Sequence, residues 1–199
     1  MKNLTASELV AKALRQNILS GAIPDGAELT QEMIASQLGV SRMPIREALY
    51  TLEFEGYIER LGNRRIRVIG IGSGMLVSRL SMYSLIEGGL ALKLSELDSR
   101  TSTALALSET IQNKESIENE LLFHSTLFFV TNDSFYNQMY QVIIKPTLIE
   151  ILENTIHGVT ERISVLQQLV TSIKKQESSC IQGHIEYYYK TFILSRKNL

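Results

Sequence analysis

The chain has 199 residues, with 20 Lys and Arg against 21 Asp and Glu, which gives a formal net charge of −1 at pH 7. This near-neutral balance excludes a general polycation, so any attraction to nucleic acid must be local. The length suits one small domain followed by one medium domain.

The chain carries few signs of secretion or of membrane insertion. A single cysteine, Cys180, excludes an internal disulfide and fits a reducing cytoplasm. No apolar run approaches the roughly 20 residues needed to span a bilayer. Met1 leads into an amphipathic segment and not into the apolar core of a signal peptide. We therefore expect a soluble cytoplasmic protein that makes no contact with a membrane.

Three short helices are predicted in the first 56 residues. The first begins after Thr5, because Thr5 and Glu8 have the spacing of a capping box, and it ends at Gly21. The second opens at Thr30 or Gln31. The third follows Ser41, and its predicted buried residues recur at helical spacing: Ile45, Ala48, Leu49 and Leu52.

The join between the second and third helices has the layout of a helix-turn-helix. Gly39 suits the turn because glycine adopts a positive φ without a steric penalty. Ser41 is expected to cap the third helix by accepting a backbone N–H, and Pro44 lies in the first turn, where a missing N–H costs little. Ala48 is small enough for close helix packing. In such a motif the second helix enters the DNA major groove by its N-terminal residues.

A small hairpin is predicted directly after the third helix. The β-forming residues of 57–58 and 66–68 flank the turn pair Gly62-Asn63, and four arginines (60, 64, 65 and 67) lie between positions 60 and 67 without an acid. Such a hairpin is the wing of a winged helix-turn-helix. Residues 1–75 hold eight acids, and we expect most of them to lie away from the Ser41–Arg46 turn and the wing.

The candidate DNA contacts follow from helical geometry. Arg42 and Arg46 are four residues apart and share one helix face, and a guanidinium that grips guanine bidentately contributes about 1–3 kcal/mol of discrimination. Ser41 and the helix N-terminus suit a phosphate, and Met43 suits a thymine methyl. The alternative for both arginines is a solvated face beside Glu47. The candidate set is Ser41, Arg42, Met43, Pro44, Arg46, Arg64, Arg65 and Arg67.

The second half of the chain changes in character. Three glycines between positions 70 and 74 predict a linker at 70–75 between a DNA-binding domain at 1–69 and a helical domain at 76–199. The predicted helices of that domain cover about 76–98, 101–112, 115–131, 134–155, 158–174 and 177–194. The predicted fold class is mostly α, with an N-terminal winged helix-turn-helix domain and a C-terminal all-helical bundle.

Several segments resemble the GntR family of bacterial transcription regulators. They are residues 21–29, 35–42, 44–49 and 52–58, and the Ser-Arg-x-Pro-x-Arg-Glu-Ala-Leu core at 41–49 is highly specific. The resemblance covers roughly residues 5–69 and points to the branch with an all-helical FCD effector domain, of the VanR type. It implies a homodimer that binds a palindromic operator and responds to a small carboxylate-type effector.

Two positions depart from the family pattern in the DNA-binding domain. Arg65 stands where relatives commonly have a glycine at the wing tip, so the tip is expected around Gly62-Asn63. Glu32 stands where some relatives carry an arginine that reaches DNA. Because an acid there would repel phosphate, that contact is not transferred to this chain.

The helical domain retains part of the family's metal motif. Glu120 and His124 match its acid-x-x-Phe-His pattern, lie on one helix face, and imply a divalent metal of the zinc or nickel type. The family uses an aspartate and three histidines. His184 resembles the second histidine, while the third would lie beyond Leu199 unless His157 replaces it. The alternative to a metal is a simple hydrogen bond between the buried acid and the histidine.

The expected effector site departs from the family as well. Tyr83 stands where relatives tend to have an arginine. The absence of that arginine would weaken the binding of an anionic effector. The tyrosines at 187–189 could line a more aromatic pocket, or could be ordinary core and interface residues.

Three functions remain open from the sequence. The first is a ligand-responsive transcription regulator. The second is a metal-dependent helical enzyme with an appended DNA-binding domain. The third is a winged-helix module that binds another protein. Since no nucleophile motif or phosphate loop occurs, we expect no catalytic residues and no enzyme activity.

Overall fold

A computed structural model describes residues 4–62, 65–69, 73–112, 116–155 and 158–196, without the side chains of 73–75, 154 and 194–196. The chain divides into two compact units, Met1–Leu76 and Val77–Leu199. The predicted fold class is confirmed, since the first unit is a winged helix-turn-helix and the second is built from helices. No helix in the described ranges has the length and apolar character needed to cross a membrane.

The N-terminal unit contains three helices and three short strands. They are α1 (Ala6–Leu19), β1 (Glu28–Thr30), α2 (Gln31–Leu38), α3 (Arg42–Phe54), β2 (Ile58–Arg60) and β3 (Arg65–Val68). The predicted capping box is confirmed, because the Thr5 hydroxyl accepts from the Glu8 amide while the Glu8 carboxylate accepts from the Thr5 amide. Strand β1 was missed by the sequence analysis, which opened α2 directly at this point.

The three strands form one antiparallel sheet in the order β1-β3-β2. Leu29 of β1 lies opposite Ile66 of β3, and Ile58 of β2 lies opposite Val68. Successive side chains of a strand point to opposite faces, so β3 buries Ile66 and Val68 and exposes Arg65 and Arg67. The sheet thereby presents the wing arginines on its outer face.

Helix α1 packs mainly against α3 in the core of this unit. The four predicted inward residues of α3 are almost completely buried. A buried ion pair reinforces the packing: Arg15 of α1 donates from Nε and Nη2 to the Glu55 carboxylate, at 2.9 and 2.8 Å, at the end of α3. This pair fixes α3, whose first turn carries most of the candidate DNA contacts.

Helices are the only regular elements among the described residues of the C-terminal unit. Its elements are α4 (Ser73–Glu96), α5 (Arg100–Ile111), α6 (Ile117–Phe129), α7 (Ser134–Met139), a π-helical turn (Tyr140–Ile144), α8 (Lys145–Asn154), α9 (Val159–Lys175) and α10 (Ser178–Arg196). The predicted helices correspond to these elements within a few residues, with two differences.

The first difference concerns the predicted linker at 70–75, because helix α4 already begins at Ser73. A glycine inside a helix costs only about 1 kcal/mol relative to alanine. Burial of Leu76 and Leu80 on the same helix outweighs that cost for Gly74. Residues 70–72 of the predicted linker lie outside the described ranges.

The second difference lies in the predicted helix at 134–155, which is interrupted by the π-helical turn. Pro146 lacks an N–H and cannot continue the regular ladder of backbone hydrogen bonds. The buried Tyr83 hydroxyl donates to the Ile143 carbonyl at 3.3 Å and lies 3.1 Å from the Thr147 hydroxyl. Tyr83 therefore ties α4 to the interrupted segment.

Candidate DNA-binding surface and buried polar cluster

The turn before α3 has the geometry that the sequence predicts, except for one hydrogen bond. Gly39 adopts φ 64° at the end of α2, and its N–H donates to the Ala35 carbonyl at 2.9 Å. Ser41 is the N-cap residue of α3, but its hydroxyl makes no capping bond. The expected capping bond is therefore not formed. An N-cap side chain can accept from the N–H of the second or third helical residue, and here the third is Pro44, which has no N–H, so only the Met43 N–H could donate. The Ser41 hydroxyl thus remains available to a phosphate.

The N-terminal part of α3 presents a compact exposed surface. Ser41, Arg42, Met43 and Arg46 are exposed, and we call these four residues the recognition surface. Pro44 is half-buried at its edge. Helix N-termini favour anions because their first N–H groups lack partners within the helix. The recognition surface therefore combines two cations with a helix N-terminus.

The two arginines of the recognition surface differ in their surroundings. Arg42 donates from Nη2 to Glu32 Oε1 at 3.0 Å, and the two side chains are 69% and 72% exposed. Arg46 has no acidic partner within the described part of the chain. Arg46 is therefore a fully available guanidinium, whereas Arg42 is held beside an acid.

The wing arginines are also paired with acids. Arg65 lies 3.1 Å from Glu28, and Arg67 lies 3.1 Å from Glu59. Antiparallel pairing places both of these acids directly opposite Arg67. The expectation that the acids lie away from the wing is therefore wrong, since β1 and β2 bring glutamates to the outer face of the sheet.

The third described arginine of the wing contacts the recognition helix. Arg60 forms an ion pair with Glu53 of α3, and its guanidinium lies 4.1 Å from the centre of the Tyr50 ring. This contact fixes the wing against α3.

The hydrogen bonds of the wing place Arg65 on a strand. The Leu61 amide donates to the Arg65 carbonyl at 2.9 Å, so Arg65 lies on β3 and not at the tip of the hairpin. Gly62 is the described residue of this tip. Asn63 and Arg64 lie outside the described ranges, and the predicted contact of Arg64 stays a prediction.

A buried cluster of polar side chains occupies the core of the C-terminal unit. Its members are Glu87 of α4, Glu120 and His124 of α6, Arg162 of α9 and Tyr188 of α10, and all five are fully buried. We call these residues the buried cluster. Charged groups are rarely buried unless they are paired, so each partner in the cluster matters.

Glu120 is held by a guanidinium and a phenol. Arg162 donates from Nε to Oε2 at 2.8 Å and from Nη2 to Oε1 at 2.9 Å, and the Tyr188 hydroxyl donates to Oε2 at 2.9 Å. Arg162 also donates from Nη1 to the Thr155 carbonyl at 3.1 Å, and it lies 4.8 Å from the centre of the Phe192 ring. The arrangement is a bidentate ion pair in an apolar setting.

His124 bonds to a different acid. Its Nδ1 lies 3.0 and 2.9 Å from the two carboxylate oxygens of Glu87, and its ring lies 4.9 Å from that of Tyr188. Its Nε2 is buried and has no hydrogen-bond partner within the described residues. Glu120 and His124 thus share one buried helix face, as predicted, but each bonds to a partner on another helix.

The three adjacent tyrosines divide between core and surface. Burial, with the nearby Glu120, raises the pKa of Tyr188 well above its usual value. Burial and the nearby Glu87 do the same to the pKa of Tyr189. Tyr187 is half-exposed and donates to Glu161 at 2.6 Å, which raises its pKa as well. At neutral pH all three phenols therefore keep their protons.

The residues named for a metal do not form a ligand set. Glu120 is engaged by Arg162 and Tyr188, and His184 is partly exposed on α10. Within the described residues there is no group of three His, Cys, Asp or Glu side chains that could hold an ion. His157, the alternative third histidine, lies outside the described ranges. The donors of the described residues therefore do not fit a zinc ion, which takes three or more such ligands in protein sites.

Sequence reasoning missed Arg162, the cation of the buried cluster. The burial of Arg162 could have been predicted from the sequence. Arg162 lies on the same helical stripe as Leu166, Leu169 and Ile173, at spacings of four, seven and eleven residues. An arginine on an apolar stripe indicates a buried partner. The sequence does not predict that this partner is Glu120, which lies 42 residues earlier in the chain.

Comparison with known proteins assigns the N-terminal unit. Residues 6–68 match the family described as bacterial regulatory proteins, gntR family. The chain is similar to the gluconate operon transcriptional repressor of Bacillus subtilis (strain 168), with 30% identity over 148 residues, covering 70% of this chain and 60% of that protein. For the Bacillus licheniformis repressor the identity is 34% over 134 residues, covering 63% and 55%. The chain thus spans somewhat over half the length of the curated relatives it matches.

Solved structures extend the similarity of fold to the whole chain. The Escherichia coli protein McbR/YncC superposes with a TM-score of 0.60 at 19% identity and covers 98% of this chain and 99% of that one. Lar, which controls expression of the Listeria monocytogenes agr system, gives 0.62 at 15% identity over the full length of both chains. At these identities the likeness concerns the fold alone.

Proposed function

We propose that this chain is a sequence-specific DNA-binding transcription regulator of the GntR type, on the premise that its residues 6–68 match the gntR family of bacterial regulatory proteins. The observation that carries the proposal is the recognition surface, where Arg46, near the start of the 13-residue helix α3, is exposed and has no acidic partner among the described residues. Since regulation of bacterial genes takes place on the chromosome, the protein would act in the cytoplasm.

The recognition surface has the groups that major-groove reading requires. In the proposed complex the first turn of α3 enters the groove, and Arg46 donates to O6 and N7 of a guanine. The Ser41 hydroxyl and the first N–H groups of α3 bind a phosphate. Met43, which is 54% exposed, contacts a thymine methyl. Arg42 binds DNA when it exchanges Glu32 for a base or a phosphate.

The wing contributes contacts to the DNA backbone. Arg65 and Arg67 are 60% and 46% exposed although both are paired with glutamates. Exposed ion pairs contribute only about 0–1 kcal/mol, so a phosphate can replace the carboxylate at little cost. Arg64 is proposed as a further contact on the evidence of the sequence alone.

The regulator is proposed to work as a homodimer on a palindromic operator. A two-fold dimer would present two α3 helices to successive major grooves about 34 Å apart. A small carboxylate-type effector would bind in the C-terminal unit, as in an FCD-type domain. His124 Nε2, which has no hydrogen-bond partner within the described residues, is the buried polar atom of the cluster that such an effector would bond. Such an effector changes operator affinity only as far as it prefers one arrangement of the dimer.

A mobility-shift titration on the DNA upstream of the protein's own gene tests the DNA-binding part. Specific binding should weaken steeply as salt rises, because phosphate contacts release counterions. Arg46→Ala should reduce affinity about 10- to 100-fold, which corresponds to about 1–3 kcal/mol. Arg46→Lys keeps the charge but loses the bidentate fork, so it should recover non-specific binding without recovering discrimination.

Lys174→Ala, which removes an exposed cation of α9, is the matched control and should leave binding unchanged. Absence of binding to that upstream DNA at every salt concentration would remove the autoregulatory form of the proposal. Unchanged DNA affinity in the Arg42→Ala, Arg46→Ala double variant would favour a protein-interaction module.

The effector part has a separate test. Gluconate is the first carboxylate to try, because the Bacillus relatives are repressors of gluconate operons. An effector should raise the unfolding temperature of the protein and also change its operator affinity. Carboxylates that do neither across a panel of sugar acids and dicarboxylates would contradict this part alone.

A further inference from the structure

We propose that Arg162 takes the place of the divalent metal in the C-terminal unit, so that the helices around Glu120 are joined by a guanidinium and need no metal ion. This role of Arg162 goes beyond the proposed DNA binding and is independent of it.

The contacts of Glu120 make it unsuitable as a metal ligand. A carboxylate offers about four lone-pair sites. Three of these sites on Glu120 accept bonds from Arg162 Nε, Arg162 Nη2 and the Tyr188 hydroxyl, at 2.8–2.9 Å. A metal ion coordinated by Glu120 would lie within a few ångströms of a guanidinium that keeps its charge at any ordinary pH. Glu120 is therefore unsuitable as a metal ligand while Arg162 is present.

The contacts of His124 leave one ring nitrogen for an external ligand. Its Nδ1 is bonded to Glu87, which leaves only Nε2 for an external ligand. One imidazole nitrogen does not make a zinc or nickel site, since such sites take three or more protein ligands. His184 is partly exposed, and no other His, Cys, Asp or Glu completes a group of three within the described ranges.

The surroundings of Arg162 form a binding site for a cation, made of a carboxylate, a carbonyl and an aromatic ring. The guanidinium extends from α9, bonds to Glu120 on α6 and to the Thr155 carbonyl at the end of α8, and lies against the Phe192 ring of α10. One side chain thus links four helices. A metal ion at the centre of a bundle performs the same cross-linking with its ligands.

Metal content and thermal stability of the full chain give the direct test. The protein is purified without added metal, dialysed against EDTA, and then examined by elemental analysis and by thermal unfolding with and without Zn²⁺ or Ni²⁺. We expect metal far below one ion per chain and an unfolding temperature that neither EDTA nor either ion changes. One zinc or nickel per chain that survives dialysis, with an unfolding temperature lowered by EDTA, would overturn the role of Arg162.

A double-mutant cycle tests whether the guanidinium is the link. Arg162→Met and Glu120→Gln should each lower the unfolding temperature strongly, and the double variant should lose less than the sum of the two, because each single change leaves a buried charge or dipole without its partner. Additive losses, or an Arg162→Met protein as stable as the parent, would contradict the proposal. Arg162→Lys keeps a cation and should retain a folded protein of intermediate stability if the methionine variant fails to fold.

Arg15→Met is the matched control, since it breaks the other buried arginine–glutamate pair, Arg15 with Glu55, in the N-terminal unit. It should lower stability without changing the response to Zn²⁺ or Ni²⁺. Operator binding is measured on the same preparations. A metal-loaded protein that binds its operator would refute the role of Arg162 and leave the proposed function intact, whereas a metal-free protein without operator binding would do the reverse.

Discussion

Glu32 is the residue that most modifies the recognition surface. It is 72% exposed and lies 3.0 Å from Arg42, so it brings a negative charge to the surface proposed to meet DNA. Because exposed ion pairs contribute about 0–1 kcal/mol, the main effect of Glu32 is repulsion of phosphate and not stability of the fold. Glu32 should therefore favour selective over non-specific binding.

Replacement of Glu32 by Gln tests this reading. We expect Glu32→Gln to raise affinity for unrelated DNA more than affinity for the operator, because Arg42 becomes free to bind a phosphate. The slope of log affinity against log salt should become steeper by about 0.9, the value for one further phosphate contact. Titrations on operator and on scrambled DNA at several salt concentrations measure both effects.

Glu109→Gln, at an exposed position of α5, removes an equal charge in the other unit and should change neither slope nor selectivity. An unchanged salt slope in Glu32→Gln would show that Glu32 does not act on DNA-bound Arg42.

Residue-level prediction succeeded where neighbours in sequence determine the outcome. Arg42 and Arg46 were predicted to be exposed on one helix face, and the structure has them so. The predicted capping bond of Ser41 is not formed, and the sequence shows one local factor against it, because Pro44 removes one of the two N–H groups that could donate. Arg162 differs, because its partner Glu120 is set by how four helices pack and by no local pattern.

The α2–turn–α3 element depends on Gly39 for its backbone and not for its space. Its φ of 64° is left-handed, and a Cβ built there meets no atom within 4 Å. A side chain at this position therefore costs conformational energy alone, about 1–2 kcal/mol for alanine and less for asparagine.

We expect Gly39→Ala to lower the unfolding temperature of the N-terminal unit, whereas Gly39→Asn should lower it by a clearly smaller amount. Both variants are compared by thermal unfolding followed with circular dichroism. Equal losses in the two would indicate that unrecorded contacts, and not the φ value, make glycine necessary in this turn.

Element-level prediction was limited by short elements and by interruptions. The amphipathic helices were found because their stripes repeat over several turns. Strand β1 has three residues, too few for a period of two to be visible, and it exists only through pairing with β3. The π-helical turn was missed because the sequence prediction placed one continuous helix at 134–155 and did not consider the missing N–H of Pro146.

At the scale of the whole molecule, the buried phenols should make the free energy of unfolding depend on pH in the alkaline range. Burial raises the pKa of Tyr140, Tyr188 and Tyr189 above the usual value of 10.0. Above pH 10 the unfolded chain loses these protons while the folded chain keeps them, so the unfolded state binds fewer protons and the free energy of unfolding falls. At pH values well below 10.0 the three tyrosines are protonated in both states, so they do not make the free energy of unfolding depend on pH.

Urea unfolding from pH 8 to pH 11 should show this loss. We expect a level region below about pH 9.5 and then a decline of about 1.4 kcal/mol per pH unit for each tyrosine that is ionised only when unfolded. Tyr189→Phe fills the same space without a phenol and should reduce the decline by the share of one tyrosine. The same slope in this variant and its parent would assign the alkaline loss to other groups.

The antiparallel sheet of the N-terminal unit has a consequence for the order in which the unit folds. Strand β3 joins β2 through a short hairpin but joins β1 across a segment that contains α2 and α3. Closing the longer loop costs more chain entropy, so the hairpin is expected to form first and β1 to dock last. Glu28 arrives with β1, and until then Arg65 and Arg67 lack that neutralising charge. We therefore expect substitutions in β1 to act mainly on the rate of unfolding, as positions consolidated after the transition state do.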